Sequence, residues 1–364
     1  MGLASARVWV VTDQAETSGI GTYAASLVRL LRPRMPGLRL ADLHYFPHPP
    51  LADAEPIAGT RTSNRFWAAP WVARLNYRAL QRLSGETDAW HLAGAHYGLG
   101  GTPVPSIATV HDYYFRRPTV ENVSDLRRIA IEGYSIYHNL EIAPQLRRCA
   151  ALVSISETTR DRLQSALGLD SVVIHHWVDT DRFRPRDRAR ARAELGLPAD
   201  ATLLLNVGSS SVNKNRRVLG EIVDRLPARY RIVKVGAPPV RPHPRVTHLG
   251  YLEEPQYALA FNAADAYLHT SSYEGFGRPV LEAAASGLPV IATDAPATPE
   301  VMGEAAEYVR SPFTPSRFAD AVRAATGDSR REELRRLSLE RARRFDPLRA
   351  RDAYLALYAR VVGS

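Results

Sequence analysis

Two glutamates eight residues apart carry the plainest chemistry in this sequence. The run S-S-Y-E-G-F-G-R-P-V-L-E-A-A-A-S-G-L-P, residues 271–289, sets Glu274 on a loop between glycines and Glu282 on the helix that follows. Pro279 suits a first helical position, and the residue before a proline avoids the helical region, so the spacing predicts a helix starting at Pro279. Glu282 then falls in the first turn, among unpaired N–H groups at the positive end of the dipole. Gly275 and Gly277 let the backbone approach a ligand at the same end. The expected product is an anion pocket with a carboxylate at each rim, suited to a nucleotide sugar: diphosphate on the amides, hydroxyls on the acids. On these residues alone, a tight loop followed by a solvated glutamate fits as well.

The elements that must position them belong to a chain of 364 residues, too long for one ordinary core and sized for two domains. Apolar residues make up 45% and charged residues 23%, a globular balance. There is no run of about 20 apolar residues to span a membrane. Val8-Trp9-Val10-Val11 reads as a buried strand, not a signal-peptide core, and Cys149 is the only cysteine, so no intrachain disulfide or thiolate metal cluster can form. The expected compartment is the cytoplasm. A net charge of +9 favours an anionic partner. Nucleic acid is not expected, because no helix-turn-helix, zinc-finger spacing or aromatic-basic strand pattern is present; a nucleotide diphosphate or an anionic lipid surface fits. Arg330, Arg331, Arg335, Arg336, Arg341, Arg343 and Arg344 alternate with Glu332, Glu333 and Glu340. They read as a solvated helix with pairs Glu332–Arg336 and Glu340–Arg344.

Short apolar runs alternate with helical patterns along the first half: strands over 8–11, 107–110, 152–155 and 172–174, and a helix over 19–31 with Ile20, Ala24, Leu27 and Leu31 on one face. Ser156 caps a helix expected to run through Leu163. Residues 46–65 read as a long surface loop. The charged stretch 179–187 has no periodicity and marks a boundary. Beyond it, strands are expected over 203–207, 232–235, 246–249, 266–268 and 289–292, with helices over 218–226 and 279–285. A last helix over 347–362 places Leu348, Leu355 and Val362 on one stripe. Such alternation predicts α/β domains with doubly wound parallel sheets.

The ordered motifs resemble the GT-B-fold retaining glycosyltransferases, the group that includes sucrose synthases, bacterial glycogen synthases and phosphatidylinositol mannosyltransferases, and in particular glycosyltransferase family 4 (glycosyl transferases group 1). Y-E-G-F-G-R-P-V-L-E with the following A-S-G-L-P-V-I-A-T is similar to that family's E-x7-E signature. T-P-E-V-M-G-E-A-A (298–306), S-I-S-E-T-T (154–159), V-D-T-D-R-F-R-P (178–185) and N-V-G (206–208) fall in the expected order. The resemblance implies two Rossmann-like domains facing across a cleft: 1–178 for the acceptor, with the C-terminal helix (347–364) packing back on it, and 179–346 for the nucleotide sugar. It implies no metal and no cofactor. Basic side chains and helix termini would neutralise the diphosphate of the donor substrate instead, and no D-x-D pair stands at a suitable strand end.

By the same resemblance the catalytic residues are Glu274, His111 and Lys214. Glu274 would bind a hydroxyl of the transferred sugar and stabilise positive charge at its anomeric carbon. His111, after the strand over 107–110, would contact the sugar's 6-hydroxyl region; a structural capping histidine is the alternative. Lys214, in G-S-S-S-V-N-K-N-R-R (208–217), would reach both phosphates. The family's neighbouring arginine is replaced by Ser209 and Asn213, leaving Arg216, Arg217 or Arg278 to supply the charge. Nucleotide-sugar contacts are expected from Glu282 (ribose hydroxyls), from Gly275, Phe276, Gly277, Arg278 and Pro279, from Gly208, Ser209 and Arg217, and from Gly19 and Gly21 of a flexible loop after the first strand. Tyr113, Tyr114, Phe115 and Arg116 suit an acceptor wall. His175-His176-Trp177 replaces the family's Asn-Gly; two histidines without a third ligand do not make a metal site.

Glu274 and Glu282 are expected at opposite ends of the donor and not as the close pair of a retaining glycosidase. The expected reaction is therefore same-face substitution, with leaving phosphate and incoming hydroxyl on one side. The implied activity is transfer of a hexose from an NDP-sugar, with retention, to a hydroxyl of a glycan or lipid-linked acceptor in polysaccharide or glycolipid synthesis. Lys214 at its distance from Gly208, with the following Asn215, resembles the mannosyl- or deoxyhexosyl-transferring relatives more than the glucosyl ones, so the donor implied first is GDP-mannose and not UDP-glucose. The alternatives are an NDP-sugar 2-epimerase of the same fold and an inactive nucleotide-sugar-binding protein. Arg29, Arg32, Arg34, Arg127 and Arg128 suit peripheral contact with an anionic inner-membrane face, although 27–32 also reads as an ordinary helix packed on a sheet. No oligomeric state is indicated.

Overall fold

A computed structural model describes residues 2–12, 18–42, 54–56, 84–94, 104–112 and 143–363. Tyr113, Tyr114, Phe115, Arg116, Arg127 and Arg128 lie outside the described residues. The chain divides into two compact units, one of 1–117, 124–175 and 347–364, the other of 118–123 and 176–346.

In the first unit the described strands are β1 (Val8–Thr12), β2 (Leu38–Asp42), β3 (Ala54–Pro56), β4 (Ala89–Leu92), β5 (Ser106–Val110), β6 (Ala151–Ser154) and β7 (Val172–Val173). They form one parallel sheet in the order β3-β2-β1-β4-β5-β6-β7. Parallel strands are buried on both faces, which is why β1 reads as an almost unbroken apolar run and why all of β5, Ser106 and Thr109 included, is buried. Strand β3 corrects the reading of 46–65 as one long loop: its short, partly polar run has no apolar signal, and it pairs only as an edge. Helix α1 (Gly19–Leu31) is capped by Ser18, whose Oγ accepts from the Gly21 amide at 2.9 Å. Gly19, Ile20 and Gly21 are therefore its first turn and not a flexible loop. Helix α2 (Glu157–Leu167) is capped by Ser156 as expected, but it runs past Leu163 to Leu167. Its end is set by Gly168, left-handed at φ 64.

The second unit contains β8 (Thr202–Gly208), β9 (Tyr230–Gly236), β10 (Val246–Gly250), β11 (Ala266–His269), β12 (Val290–Thr293) and β13 (Ala306–Val309), in parallel order β10-β9-β8-β11-β12-β13. Its helices are α3 (Arg188–Glu194), α4 (Val218–Asp224), α5 (Gln256–Ala263), α6 (Arg278–Ala285), α7 (Thr298–Met302), α8 (Pro315–Thr326) and α9 (Asp328–Ala342). Leu204, Ile222, Ile232, Leu268, Ile291, Phe318 and Val322 build its core. In α9 the ion pairs run Arg336–Glu340 at 2.7 Å and Arg335–Glu332 at 3.8 Å, not Glu332–Arg336 and Glu340–Arg344. Arg344 lies beyond the helix end, in the 3-10 turn Arg343–Phe345.

Helix α10 (Pro347–Val362) belongs to the first unit. Its buried residues are Ala350, Tyr354, Leu357, Tyr358 and Val361, and Leu348 is 51% exposed, so the stripe expected from Leu348, Leu355 and Val362 is displaced by about one position. Tyrosine hydroxyls with buried partners decide that face, and a purely apolar count does not register them.

Both sheets reverse direction beside their first strand. In the second unit the chain builds outward from β8 through β9 to β10, then returns to β11 on the other side of β8. The loops leaving β8 and β11 part there, opening the crevice at which doubly wound sheets bind ligands.

Candidate active site

That reversal brings together two loops 60 residues apart in sequence. The β8 loop carries Lys214 at the end of a 3-10 turn (Val212–Lys214), and the β11 loop carries Glu274. Four hydrogen bonds clamp them. The Ser272 amide donates to the Asn213 carbonyl at 2.8 Å, and Asn213 Nδ2 donates to the Tyr273 carbonyl at 3.0 Å. Thr270 Oγ1 donates to the Lys214 carbonyl at 2.8 Å, and Ser272 Oγ reaches the Asn213 carbonyl at 3.4 Å. Asn213, in one of the places where an arginine was expected, is thus a clasp between loops.

Lys214 Nζ meets Glu274 Oε1 at 2.6 Å, with the side chains 20% and 10% exposed. His269, the last residue of β11, places Nε2 3.5 Å from the same oxygen. Burial would raise the Glu274 pKa, but the charge of Lys214, the proximity of His269 and hydrogen bonds from Lys214 and Ser271 outweigh it, and the carboxyl sits below its usual range. Burial drives His269 down to about 4 despite Glu274, so it is neutral at pH 7. At neutral pH the cluster is a carboxylate and an ammonium in contact, with an uncharged imidazole beside them. Sequence reasoning missed His269; its only signal is a histidine closing an apolar strand five residues before the loop's glutamate–glycine pair.

Helix α6 begins at Arg278, not Pro279, with Gly277 left-handed at φ 89 as its cap. Pro279 is the second helical residue, and Glu282 the fifth. Glu282 therefore lies past the first turn, away from the unpaired amides, which corrects the dipole argument. It is 7% exposed. Its Oε2 accepts from the Tyr257 hydroxyl of α5 at 2.7 Å, and its Oε1 is 3.9 Å from Arg278. Burial, with the Glu282 carboxylate next, pushes the Tyr257 phenol well above its usual value. Tyr257 was not foreseen, being 25 residues from its partner in an unremarkable helix. Phe276 is buried, packed edge-on between His176 at 5.2 Å and Phe345 at 5.5 Å.

Gly208 closes β8, and a Cβ there would lie 3.4 Å from the Lys214 stem. Ser209 is exposed, as is Arg217, which stands just before α4. Arg216 instead turns its guanidinium to the Pro238 and Ser210 carbonyls. Among the described residues no group of three or more His, Cys, Asp or Glu could hold a metal ion, and no helix is long and apolar enough to cross a membrane.

In the first unit His111 follows β5. Its Nε2 donates to the Ala93 carbonyl at 2.6 Å, and its ring meets Tyr23 edge-on at 4.8 Å. Behind it runs a buried chain: Tyr23 to Thr109 at 2.9 Å and to Tyr354 at 2.7 Å, His91 Nε2 to Thr109 at 2.7 Å, and His91 Nδ1 to Tyr358 at 2.5 Å. Burial, reinforced by His111, lowers His91 to about 3, so it stays neutral. Gly19 and Gly21 lie in the first turn of α1, where Gly19 has open space for a Cβ.

Residues 17–182 match the family described as Glycosyltransferase Family 4, and residues 201–328 match that described as Glycosyl transferases group 1. The O-antigen chain mannosyltransferase B of Escherichia coli is 31% identical over 100 residues, 28% of this chain and 26% of that protein. The D-inositol 3-phosphate glycosyltransferase of Nocardia farcinica is 29% identical over 313 residues, 74% of this chain and 65% of that protein. The chain thus spans from about a quarter to just under two thirds of these relatives' lengths. The Anabaena protein HepE, solved in complex with UDP-glucose, superposes with a TM-score of 0.74 at 15% identity, covering 96% of this chain and 98% of that one. Two parallel-sheet units, the ordered motifs and both family matches agree: the chain belongs to the GT-B-fold glycosyltransferases of family 4, the glycosyl transferases group 1.

Proposed function

We propose that this protein is a retaining hexosyltransferase that moves a sugar from a nucleoside diphosphate to a hydroxyl of a glycan or glycolipid acceptor. The observation that carries the reading is the part-buried Lys214–Glu274 contact, 2.6 Å long, at the strand reversal of the second unit. A desolvated ion pair is worth little as structure. It is well suited to meeting a ligand that is anionic at one end and becomes cationic at the other. Lys214 draws charge from the leaving diphosphate, and Glu274 faces the positive charge that grows at the anomeric carbon. Glu282 and Tyr257 offer a carboxylate and a phenol to a ribose diol. The acceptor hydroxyl attacks from the side the phosphate leaves, and a phosphate oxygen takes its proton.

The donor we favour is GDP-mannose. The similarity to the Escherichia coli mannosyltransferase supports it, and the UDP-glucose complex of the Anabaena neighbour supports nucleotide sugars as a class. Titration of GDP and UDP by calorimetry decides the base; tighter UDP binding rejects the preference. Following nucleoside diphosphate release with and without glycan acceptors tests the reaction. Glu274→Ala should lower turnover far more than nucleotide affinity, and Glu282→Ala the reverse. Small, equal effects from both would remove these roles. Donor consumption without any acceptor would point to an epimerase.

A further inference from the structure

Lys234 lies in β9 and is 0% exposed. Its Nζ donates to the Val235 carbonyl at 2.6 Å and to the Gly208 carbonyl at 2.9 Å. Gly208 is the last residue of β8, the point from which the Lys214 loop departs. Gly236, left-handed at φ 89, presses against the same carbonyl: a Cβ there would fall 2.5 Å from the Gly208 oxygen. Gly208 is thus held between the Lys214 stem on one side and Lys234 with Gly236 on the other.

As a strut, an ammonium is a poor choice. Burying a charge against neutral carbonyls forfeits most of its hydration, and a neutral amide would make the same bonds at lower cost. The groups that face Lys234 sharpen the point. Asn206 of β8 and His248 of β10 flank it in register and hydrogen-bond to backbone carbonyls, of Leu268 and Gly236. From the β8 loop come Arg216 and Lys214, and both are positive. The β11 loop supplies Glu274, already committed to Lys214 and next to the neutral His269. With Lys214 committed to Glu274, Arg216 and a protonated Lys234 supply two positive charges beside the Gly208 turn. A nucleoside diphosphate sugar carries one negative charge on each of its two phosphates.

We propose that Lys234 is a positioning cation of the diphosphate site, holding the Gly208 turn from inside the sheet and supplying, with Arg216, the charge that Ser209 and Asn213 do not. The inference rests on the nucleotide-sugar reading of this site. Burial, then Arg216 and Lys214, lowers Lys234 to about 7, so the empty site leaves it largely uncharged above that pH. An arriving diphosphate favours the ammonium, and binding takes up a proton.

The test is calorimetric titration of the full chain with GDP-mannose and with UDP-glucose at pH 8, in two buffers of different ionisation enthalpy. Both donors are phosphodiesters that do not titrate near neutrality. The expected result is uptake of more than about half a proton per site. Lys234→Met should abolish the uptake and weaken binding by about tenfold or more. Arg216→Gln removes a repelling charge and should lower the uptake, a readout that stands even if Lys234→Met does not fold. Donor binding without proton uptake, or uptake that persists in Lys234→Met, overturns this inference alone. If neither donor binds the unaltered chain, the nucleotide-sugar reading falls and takes this inference with it.

Discussion

Lys214→Met isolates the contact on which the site depends. The thioether fills much the same volume but leaves the Glu274 carboxylate, 8% exposed, without its cation. At the observed 2.6 Å the gross attraction is about 6 kcal/mol for an effective dielectric near 20. Much of that offsets desolvation, and removing one partner of such a buried pair costs about 3–5 kcal/mol. The sign with pH is distinctive. In the native chain Glu274 sits below the ordinary 4.5, so its contribution is complete at neutral pH and is lost as pH falls through the lowered folded value. Without Lys214, burial dominates and the folded value rises above 4.5. The variant then loses stability as pH climbs from the unfolded value through the raised one. Its deficit should be largest at pH 7 and should shrink by about 1 kcal/mol or more at pH 5. Urea titrations followed by circular dichroism, fitted with separate transitions for the two units, measure both. A deficit under about 1 kcal/mol at pH 7, or one that is the same at pH 5, would refute the claim that Lys214 neutralises a buried carboxylate.

Gly236→Ala forces a methyl against the Gly208 carbonyl at a left-handed residue, so it should cost about 1–3 kcal/mol and weaken donor binding by displacing the Lys214 loop. Full donor affinity in a destabilised variant would break the link between this turn and the site. Tyr358→Phe leaves His91 Nδ1 without its buried hydroxyl and should cost the first unit about 1–3 kcal/mol in thermal or urea unfolding; a change below about 0.5 kcal/mol would mean that the hydroxyl chain does not tie α10 down.

The sequence displays local regularities well and cross-chain partnerships badly. Strands β1 and β12 stand out because parallel strands demand apolar runs, and α1 because one face repeats every three to four residues. Strands β2, β4 and β13 went unread: D-A-W-H-L and A-E-Y-V mix polar residues into runs too short for periodicity to speak. Lys214, Glu274 and Glu282 are legible as motif residues. Lys234 is not, since one lysine in R-I-V-K-V-G looks like a break in a strand until the Gly208 carbonyl is seen beside it. Tyr257 and His91 are invisible for the same reason. What makes them functional candidates is a partner 25 or more residues away, and only the strand order brings those partners within reach.

Helix α10 imposes an order of assembly on the chain. Tyr23 is made early, yet its buried hydroxyl partner Tyr354 is 331 residues later, and His91 waits for Tyr358 across 267. At 5–20 residues per second, the stretch 176–346 takes roughly 10–30 s to synthesise. At the end of that interval the second unit has everything it needs, while the first still lacks the helix that closes over Tyr23 and His91. The unit encoded first is therefore completed last. A chain halted at 346 should show protease-resistant second-unit fragments and a first unit that is cut freely; equal resistance of both would mean that the first unit closes without its final helix.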